Sequence, residues 1–288
     1  MKERRSPASE IPANSNISGD YIRHSRANYG AYAKISQSEN PQGSFDENDQ
    51  VTPDLTESGV ELAKQEAQKY FAELDPQKVK LFFVSSNESR AIETANIYRE
   101  TAKNLGFEII KPEHSRSQIA DELAGGEIRV IENLSINSEN IMIDGIFSPA
   151  SLRGRPDLNL VPSEVKEKYL RAIAIIDADD RGSWGANFSA HGEAIKKIFP
   201  EIKSATDIYE SKFKNFLRLY KFAEQKAEEA GDEVGPIKVL AFGHENMMLH
   251  ALGKFFGNGQ LKNCEAVGFE SAGDGIKMTY RGEEKELK

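Results

Sequence analysis

Three short pieces of this sequence combine residue types able to bind and transfer an anionic group. Arg23-His24 follow Tyr21-Ile22, Ser85-Ser86 and then Arg90 follow the apolar run VKLFFVSS (79–86), and Gly243-His244-Glu245 follow IKVLAF. The sum is two guanidinium groups, two imidazoles and a carboxylate. Arginine is permanently charged and presents paired donors to the oxygens of a phosphate dianion, which suits it to that task better than lysine. An imidazole is a nucleophile near neutral pH because its unperturbed pKa is about 6.5. A carboxylic acid can protonate a leaving oxygen and, once ionised, activate water. The set suits phosphoryl transfer.

Each piece stands where a strand should end. A short strand ending at Tyr21-Ile22 delivers Arg23 and His24. The nearly continuous apolar run at 79–86 predicts a strand buried on both faces, passing into a helix over SRAIETANIYRETAKNLG that Gly106 ends. IKVLAFGHEN predicts a third buried strand, opening onto the helix MMLHALGKFFG. In an open α/β sheet, ligands bind outside the carboxyl ends of the strands, so parallel pairing would bring all three pieces to one edge.

The remaining elements fill in around these. Thr56 is suited to cap a helix from about Glu57 to Leu74, with Leu62, Ala63, Ala67, Tyr70 and Phe71 on its apolar face. FEIIKP (107–112) predicts another strand, IRVIENLSI (128–136) is extended, and helices are expected near 163–179 and 204–230. EAVGFES and IKMTYRG, in the tail from 264 to 288, are candidate edge strands. Residues 36 to 53 read as loop, and residues 1–16 as a mobile tail. The expectation is an α/β fold over 17–288: one domain with a mostly parallel central sheet flanked by helices, and a helical insertion at about 137–235 acting as a cap.

Four of these stretches resemble the motifs of the histidine phosphatase (phosphoglycerate mutase-like) superfamily, in family order and at family spacing. YIRHSRA resembles its opening Arg-His-Gly signature, and DLTESGVELAKQ its Leu-Thr-x-x-Gly helix start. VSSNESRAIETA resembles its Ser-Ser-x-x-x-Arg-Ala-x-x-Thr-Ala motif, and LAFGHEN its second-histidine motif. The resemblance covers roughly 17–105 and 236–257, and Ser25 departs from it by replacing the glycine after the histidine.

The resemblance implies that His24 is phosphorylated and that Arg23, Arg90 and His244 complete the phosphate pocket. Glu245 occupies the position of the proton donor in the acid-phosphatase branch, with its carboxylate expected to face the leaving oxygen rather than the arginines. In the mutase-like branch the donor is a mid-chain glutamate, for which either Glu132 or Glu139 is the counterpart. The implied activity is hydrolysis of a phosphomonoester, on a small molecule or a phosphopeptide, with no metal or other cofactor. A phosphomutase, or a phosphate-binding protein without turnover, would use the same pocket.

Composition narrows the alternatives. The formal net charge of −9 argues against broad attraction to nucleic acid or to an anionic membrane. Cys264 is the only cysteine, so no internal disulfide is possible, and the polar N-terminal residues lack the apolar run of a signal peptide. No stretch reaches the roughly 18 apolar residues of a membrane helix, and a cytoplasmic location is the expectation. His191 in FSAHGEAIKK follows no apolar strand and is read as a surface residue; His114 and His250 are read as structural. Arg26 is a candidate rim contact, while Arg153 and Arg155 in SLRGRPD read as part of a solvated loop. No Cys/His metal spacing and no glycine-rich nucleotide loop is present.

Overall fold

The computed structural model describes residues 17–27, 55–112, 121, 123–130, 163–179, 187–188, 190–198, 200, 205–213, 216–217, 220, 236–272 and 275–287. The tail at 1–16, the loop at 36–53, and His114, Glu132, Glu139, Arg153 and Arg155 lie outside these residues.

The chain alternates strand and helix at both ends. The elements are β1 (Ile17–Arg23), α1 (Glu57–Ala72), β2 (Lys80–Ser85), α2 (Ser89–Asn104), β3 (Ile128–Val130), α3 (Ser163–Asp177), α4 (Gly192–Ile198), α5 (Ala205–Ile208), β4 (Ile237–Gly243), α6 (Glu245–Phe256), β5 (Ala266–Ala272), β6 (Gly275–Tyr280) and β7 (Glu283–Leu287). A π-helical turn, Tyr209–Phe213, continues α5. No helix among the described residues is long and apolar enough to cross a membrane.

All seven strands form one sheet in the order β3-β2-β4-β1-β5-β6-β7. It is parallel from β3 to β1 and antiparallel from β1 to β7. The expected parallel sheet is therefore its first half, and a C-terminal meander extends it. EAVGFES and IKMTYRG do form strands, but β5 and β6 are internal, and the edge strand is the charged segment EEKEL. That composition shows no apolar alternation to read, and it is what an edge needs to resist pairing with another chain. Lys277 on β6 bridges Glu270 on β5 (2.9 Å) and Glu284 on β7 (3.1 Å), tying the meander together across its face.

FEIIKP is not a full strand. It makes one parallel bridge, Leu81 to Ile109, through Leu81 N–H to the Glu108 carbonyl (2.9 Å) and Ile110 N–H to the Leu81 carbonyl (2.8 Å). The same edge of β2 is taken further along by β3, which pairs with Phe83–Ser85. One edge shared by two segments leaves each of them short.

Strand alternation sends successive side chains to opposite faces. Ile22, Leu81, Phe83, Leu240 and Phe242 pack beneath α1 and α2 with Ala63, Ala67, Phe71, Ile92, Ala95 and Tyr98. On the other face Tyr21, Val239, Ala241, Val267, Phe269 and Met278 pack beneath α6 and the 209–220 stretch. Tyr209, Phe213, Phe216 and Tyr220 are all buried on this second face. Both faces of the sheet are covered, which accounts for the nearly continuous apolar runs of β2 and β4. Helices α3 and α4 pack on each other, and Asn187 Nδ2 donates to the Ile176 carbonyl (3.3 Å) beside them.

Helix α1 starts where the sequence indicates. Thr56 is its N-cap, and its hydroxyl accepts from Gly59 N–H at 3.0 Å. A β-carbon on Gly59 would stand 2.1 Å from the carbonyl oxygen of Arg26, so this position admits only hydrogen. The first turn of α1 thereby lies directly against the segment following His24. Gly59→Ala must push that segment away, and we expect a loss of about 1–3 kcal/mol in unfolding free energy, measured by urea denaturation, together with reduced activity. Wild-type stability and activity would show that the contact is dispensable.

Candidate active site

The parallel register decides the geometry of the site. Arg23 pairs with Gly243 across β1 and β4, and Ser85 pairs with Phe242 across β2 and β4. The three strands end at one level on one edge, so the residues immediately after them converge. His24 N–H continues the β1–β4 ladder by donating to the Gly243 carbonyl (2.9 Å), and Ser86 N–H donates to the Phe242 carbonyl (2.9 Å).

His24 and His244 face each other with ring centroids 5.1 Å apart and planes inclined at 61°. Both are buried, at 3% and 6% exposure. Nδ1 of His24 lies 2.6 Å from the Ser25 carbonyl oxygen. A carbonyl only accepts, so Nδ1 carries a proton, and in the neutral form of this ring the lone pair is on Nε2. A neutral histidine held in this tautomer is a competent nitrogen nucleophile.

His244 is built differently. Burial, and then the nearby charges of Arg90, His24 and Arg23, hold its imidazole well below the usual histidine range, so the ring is neutral. Arg90 Nη2 lies 3.5 Å from its Nδ1, and Ser86 Oγ lies 3.0 Å from its Nε2. Arginine can only donate, so the proton of His244 belongs on Nε2, which donates to the Ser86 hydroxyl.

The two arginines each hold a carboxylate. Arg90 Nη1 is 3.1 Å from Glu88 Oε2, and Arg23 Nη1 is 3.1 Å from Glu245 Oε2. Arg23 also donates to the Leu261 carbonyl, while its Nε is buried without a hydrogen-bond partner among the described residues. The expectation that Glu245 would face away from the arginines is thus corrected. As the first residue of α6, it follows the Gly243 that pairs with Arg23, and a guanidinium that is only 18% exposed draws in the adjacent carboxylate.

Ser25, which stands where the resembling motif has glycine, is fully buried and fully engaged. Its hydroxyl donates to the Gly59 carbonyl (2.6 Å), and its N–H donates to Thr94 Oγ1 (3.0 Å). Thr94 Oγ1 in turn donates to the Arg90 carbonyl (2.7 Å), so one threonine links the His24 loop to the helix that carries Arg90. On the other side, Asn263 Nδ2 donates to the His24 carbonyl (2.8 Å), and Cys264 N–H to the Arg23 carbonyl (2.9 Å).

Other sequence-level candidates lie elsewhere or play a lesser part. His191 Nε2 bonds Asp179 (2.8 Å), and His250 Nδ1 lies 3.2 Å from Thr206 Oγ1 with its ring 4.8 Å from that of Tyr209. Arg26 is exposed, and its carbonyl accepts from Thr56 N–H at 3.1 Å. Among the described residues, no group of three or more His, Cys, Asp or Glu side chains is placed to hold a metal ion.

No family model matches the sequence, and no curated protein matches it either. Solved structures do. The chain is similar to a phosphoglycerate mutase from Bacillus anthracis str. Sterne, at 13% identity and a TM-score of 0.43, over 94% of this chain and 91% of that one. It is similar to a multiple inositol polyphosphate phosphatase from Bifidobacterium longum, solved with inositol hexasulfate, at 12% identity and a TM-score of 0.45, over 97% and 89%. A mycobacterial glucosyl-3-phosphoglycerate phosphatase matches at 14% identity and a TM-score of 0.40, over 88% and 90%. Likenesses this distant carry no role across to individual residues, whose parts follow from their own surroundings.

Two residues beside the site lie within the quoted motifs at positions to which sequence reasoning assigns no role. Glu88 is one. Tyr21 is the other: fully buried, its hydroxyl accepts from His244 N–H at 2.6 Å and donates to the His244 carbonyl at 3.1 Å. Burial, the largest influence, raises the phenol far above its ordinary pKa, so it stays protonated and able to donate. The ring reaches His244 by crossing Gly243, where a β-carbon would stand 2.1 Å from the phenol oxygen. The sequence signal is a tyrosine one residue out of phase with Ile22, together with a glycine at the end of another strand.

Tyr21→Phe leaves the buried N–H and carbonyl of His244 without this partner. Unfolding free energy should fall by about 1–3 kcal/mol, and turnover by the folded variant should fall as well. Ile276→Val, expected to lose about 0.5–1.5 kcal/mol in the core away from the site, should keep its turnover. Equal turnover in the two variants would mean that the tyrosine supports the fold only.

Proposed function

We propose that the protein is a phosphatase that hydrolyses a phosphomonoester through a phosphohistidine on His24. The observation that carries this reading is the pairing of two buried imidazoles, one with a proton fixed on Nδ1, between two arginines at the convergent ends of three parallel strands. The resemblance of the four motifs points the same way. Nε2 of His24 attacks phosphorus, the bond from phosphorus to the ester oxygen breaks, and that oxygen leaves with a proton. Arg23 and Arg90, with His244 once its Nε2–H has exchanged the Ser86 hydroxyl for the ligand, hold the non-bridging oxygens, and the arginines supply the positive charge that a metal supplies in other phosphatases. Water then attacks phosphorus, the phosphorus–nitrogen bond breaks, and inorganic phosphate and neutral His24 are released.

Glu245 is the acid in this proposal, on one condition. Its carboxylate is a counter-ion of Arg23, so it delivers a proton only after phosphate has taken that guanidinium and the carboxyl has been protonated. The same atoms would serve a mutase, which returns the phosphate to a second hydroxyl group instead of to water. Product analysis separates the two. The substrate class is a phosphorylated small molecule or a phosphopeptide, which a substrate screen against a His24→Ala control would narrow.

Two measurements test the mechanism. Acid quenching during turnover of an activated ester destroys a phosphoramidate while alkali preserves it, so an alkali-stable, acid-labile label should be found on His24. His24→Ala should lose the label and nearly all turnover, by several orders of magnitude; retained label or full turnover in that variant rules the mechanism out.

Glu245→Gln tests the acid. Alkyl phosphates, whose alkoxide leaves poorly, should lose about 10²–10⁴-fold, while phosphoenzyme formation from nitrophenyl phosphate should lose much less. Equal losses would reduce Glu245 to a counter-ion of Arg23. The same leaving-group dependence in Glu132→Gln or Glu139→Gln would move the acid to the middle of the chain.

A further inference from the structure

Glu88 has no part in the chemistry above, yet it touches the group on which that chemistry depends. It is the N-cap residue of α2, with extended backbone (φ −82°, ψ 131°). A carboxylate at this position ordinarily accepts from a backbone N–H of the first helical turn. Glu88 makes no such cap bond. Its carboxylate turns instead onto Arg90, with Oε2 3.1 Å from Nη1, and both side chains are only 10% exposed. The other terminal nitrogen of Arg90 faces Nδ1 of His244 at 3.5 Å. Arg90 thus stands between a carboxylate and a neutral ring.

We propose that Glu88 competes with phosphate for Arg90 and sets how weakly the pocket holds inorganic phosphate. This inference rests on the reading of the pocket as a phosphate site. Two anions sharing one guanidinium repel each other, and at this degree of burial salt screens the repulsion poorly. The repulsion acts on substrate, transition state and released phosphate alike. It is therefore a uniform term, which moves KM and product inhibition together and leaves the chemical step in place. An enzyme that releases phosphate as its last product gains from such a term, because tightly held product limits turnover.

The test is equilibrium titration of the full-length chain with inorganic phosphate, alongside inhibition of turnover by the same ion, for wild type, Glu88→Gln, Glu88→Ala and Glu88→Asp. Glu88→Gln keeps the shape and removes the charge. It should bind inorganic phosphate about tenfold more tightly, a gain of about 1.4 kcal/mol, with KM lowered by a similar factor. Glu88→Ala should shift in the same direction, and Glu88→Asp, which retains the charge, should stay near wild type. A role limited to orienting Arg90 would give the opposite sign: unchanged or weaker phosphate binding in both neutral variants overturns the proposal. A wild-type protein that neither binds inorganic phosphate nor turns over any phosphomonoester overturns the phosphate reading itself, and the competition falls with it.

Discussion

The site depends on the parallel pairing of β1 with β4, in a register that sets Arg23 opposite Gly243. These strands are separated by more than two hundred residues of sequence, yet their ends define the positions of both histidines. His24 N–H continues the ladder to the Gly243 carbonyl, and His244 follows immediately on the neighbouring strand. Because side chains alternate with a period of two, a slip of one residue would exchange Tyr21 and Ile22 between faces and turn Arg23 and His24 the wrong way. The two dissimilar cores oppose that slip. Ile22 fits beneath α1 and α2, whereas Tyr21 reaches across Gly243 to hold the His244 backbone.

Around that frame, the backbone following His24 is held from several directions by groups that touch no ligand in the proposed mechanism. Thr94, Gly59 and Asn263 come from α2, α1 and the loop after α6, and each binds the two-residue segment His24-Ser25. This explains why a serine can follow the histidine. Its side chain is buried, but its hydroxyl has an acceptor in the Gly59 carbonyl, so the burial leaves no polar atom stranded. It also gives a physical meaning to two motif residues that have no chemistry of their own. Gly59 admits the Arg26 carbonyl at van der Waals range, and Thr94 ties the histidine loop to the helix of Arg90.

Much of this architecture was legible in the sequence because its signals are local. VKLFFVSS and IKVLAFG are buried on both faces and read as continuous apolar runs; Thr56 and Gly106 mark helix ends by cap chemistry, the latter at φ 84°. The candidate residues were legible because each follows such a strand. What could not be read depends on pairing between distant segments. The charged segment of β7 has no pattern of its own and becomes a strand only because β6 presents an edge to it. FEIIKP has a strand-like composition, but β3 occupies most of the edge it would need. The direction of the Glu245 carboxylate was equally hidden, since it is decided by the position of Arg23 across the β1–β4 register.

The two arginine–carboxylate pairs also change how affinity should be reckoned at this edge. A buried guanidinium without a counter-ion would be costly, and Glu88 and Glu245 offset that cost. If phosphate is the ligand, its binding is then an exchange of one anion for another at each arginine, and not the formation of new ion pairs from solvated charges. The gain is the difference between the two, so it is smaller than a count of phosphate contacts suggests. The neutral state of His244 follows the same logic: with two guanidiniums and a second imidazole close by, a further positive charge is unfavourable until an anion enters. An edge arranged in this way holds two buried arginines without leaving their charge uncompensated.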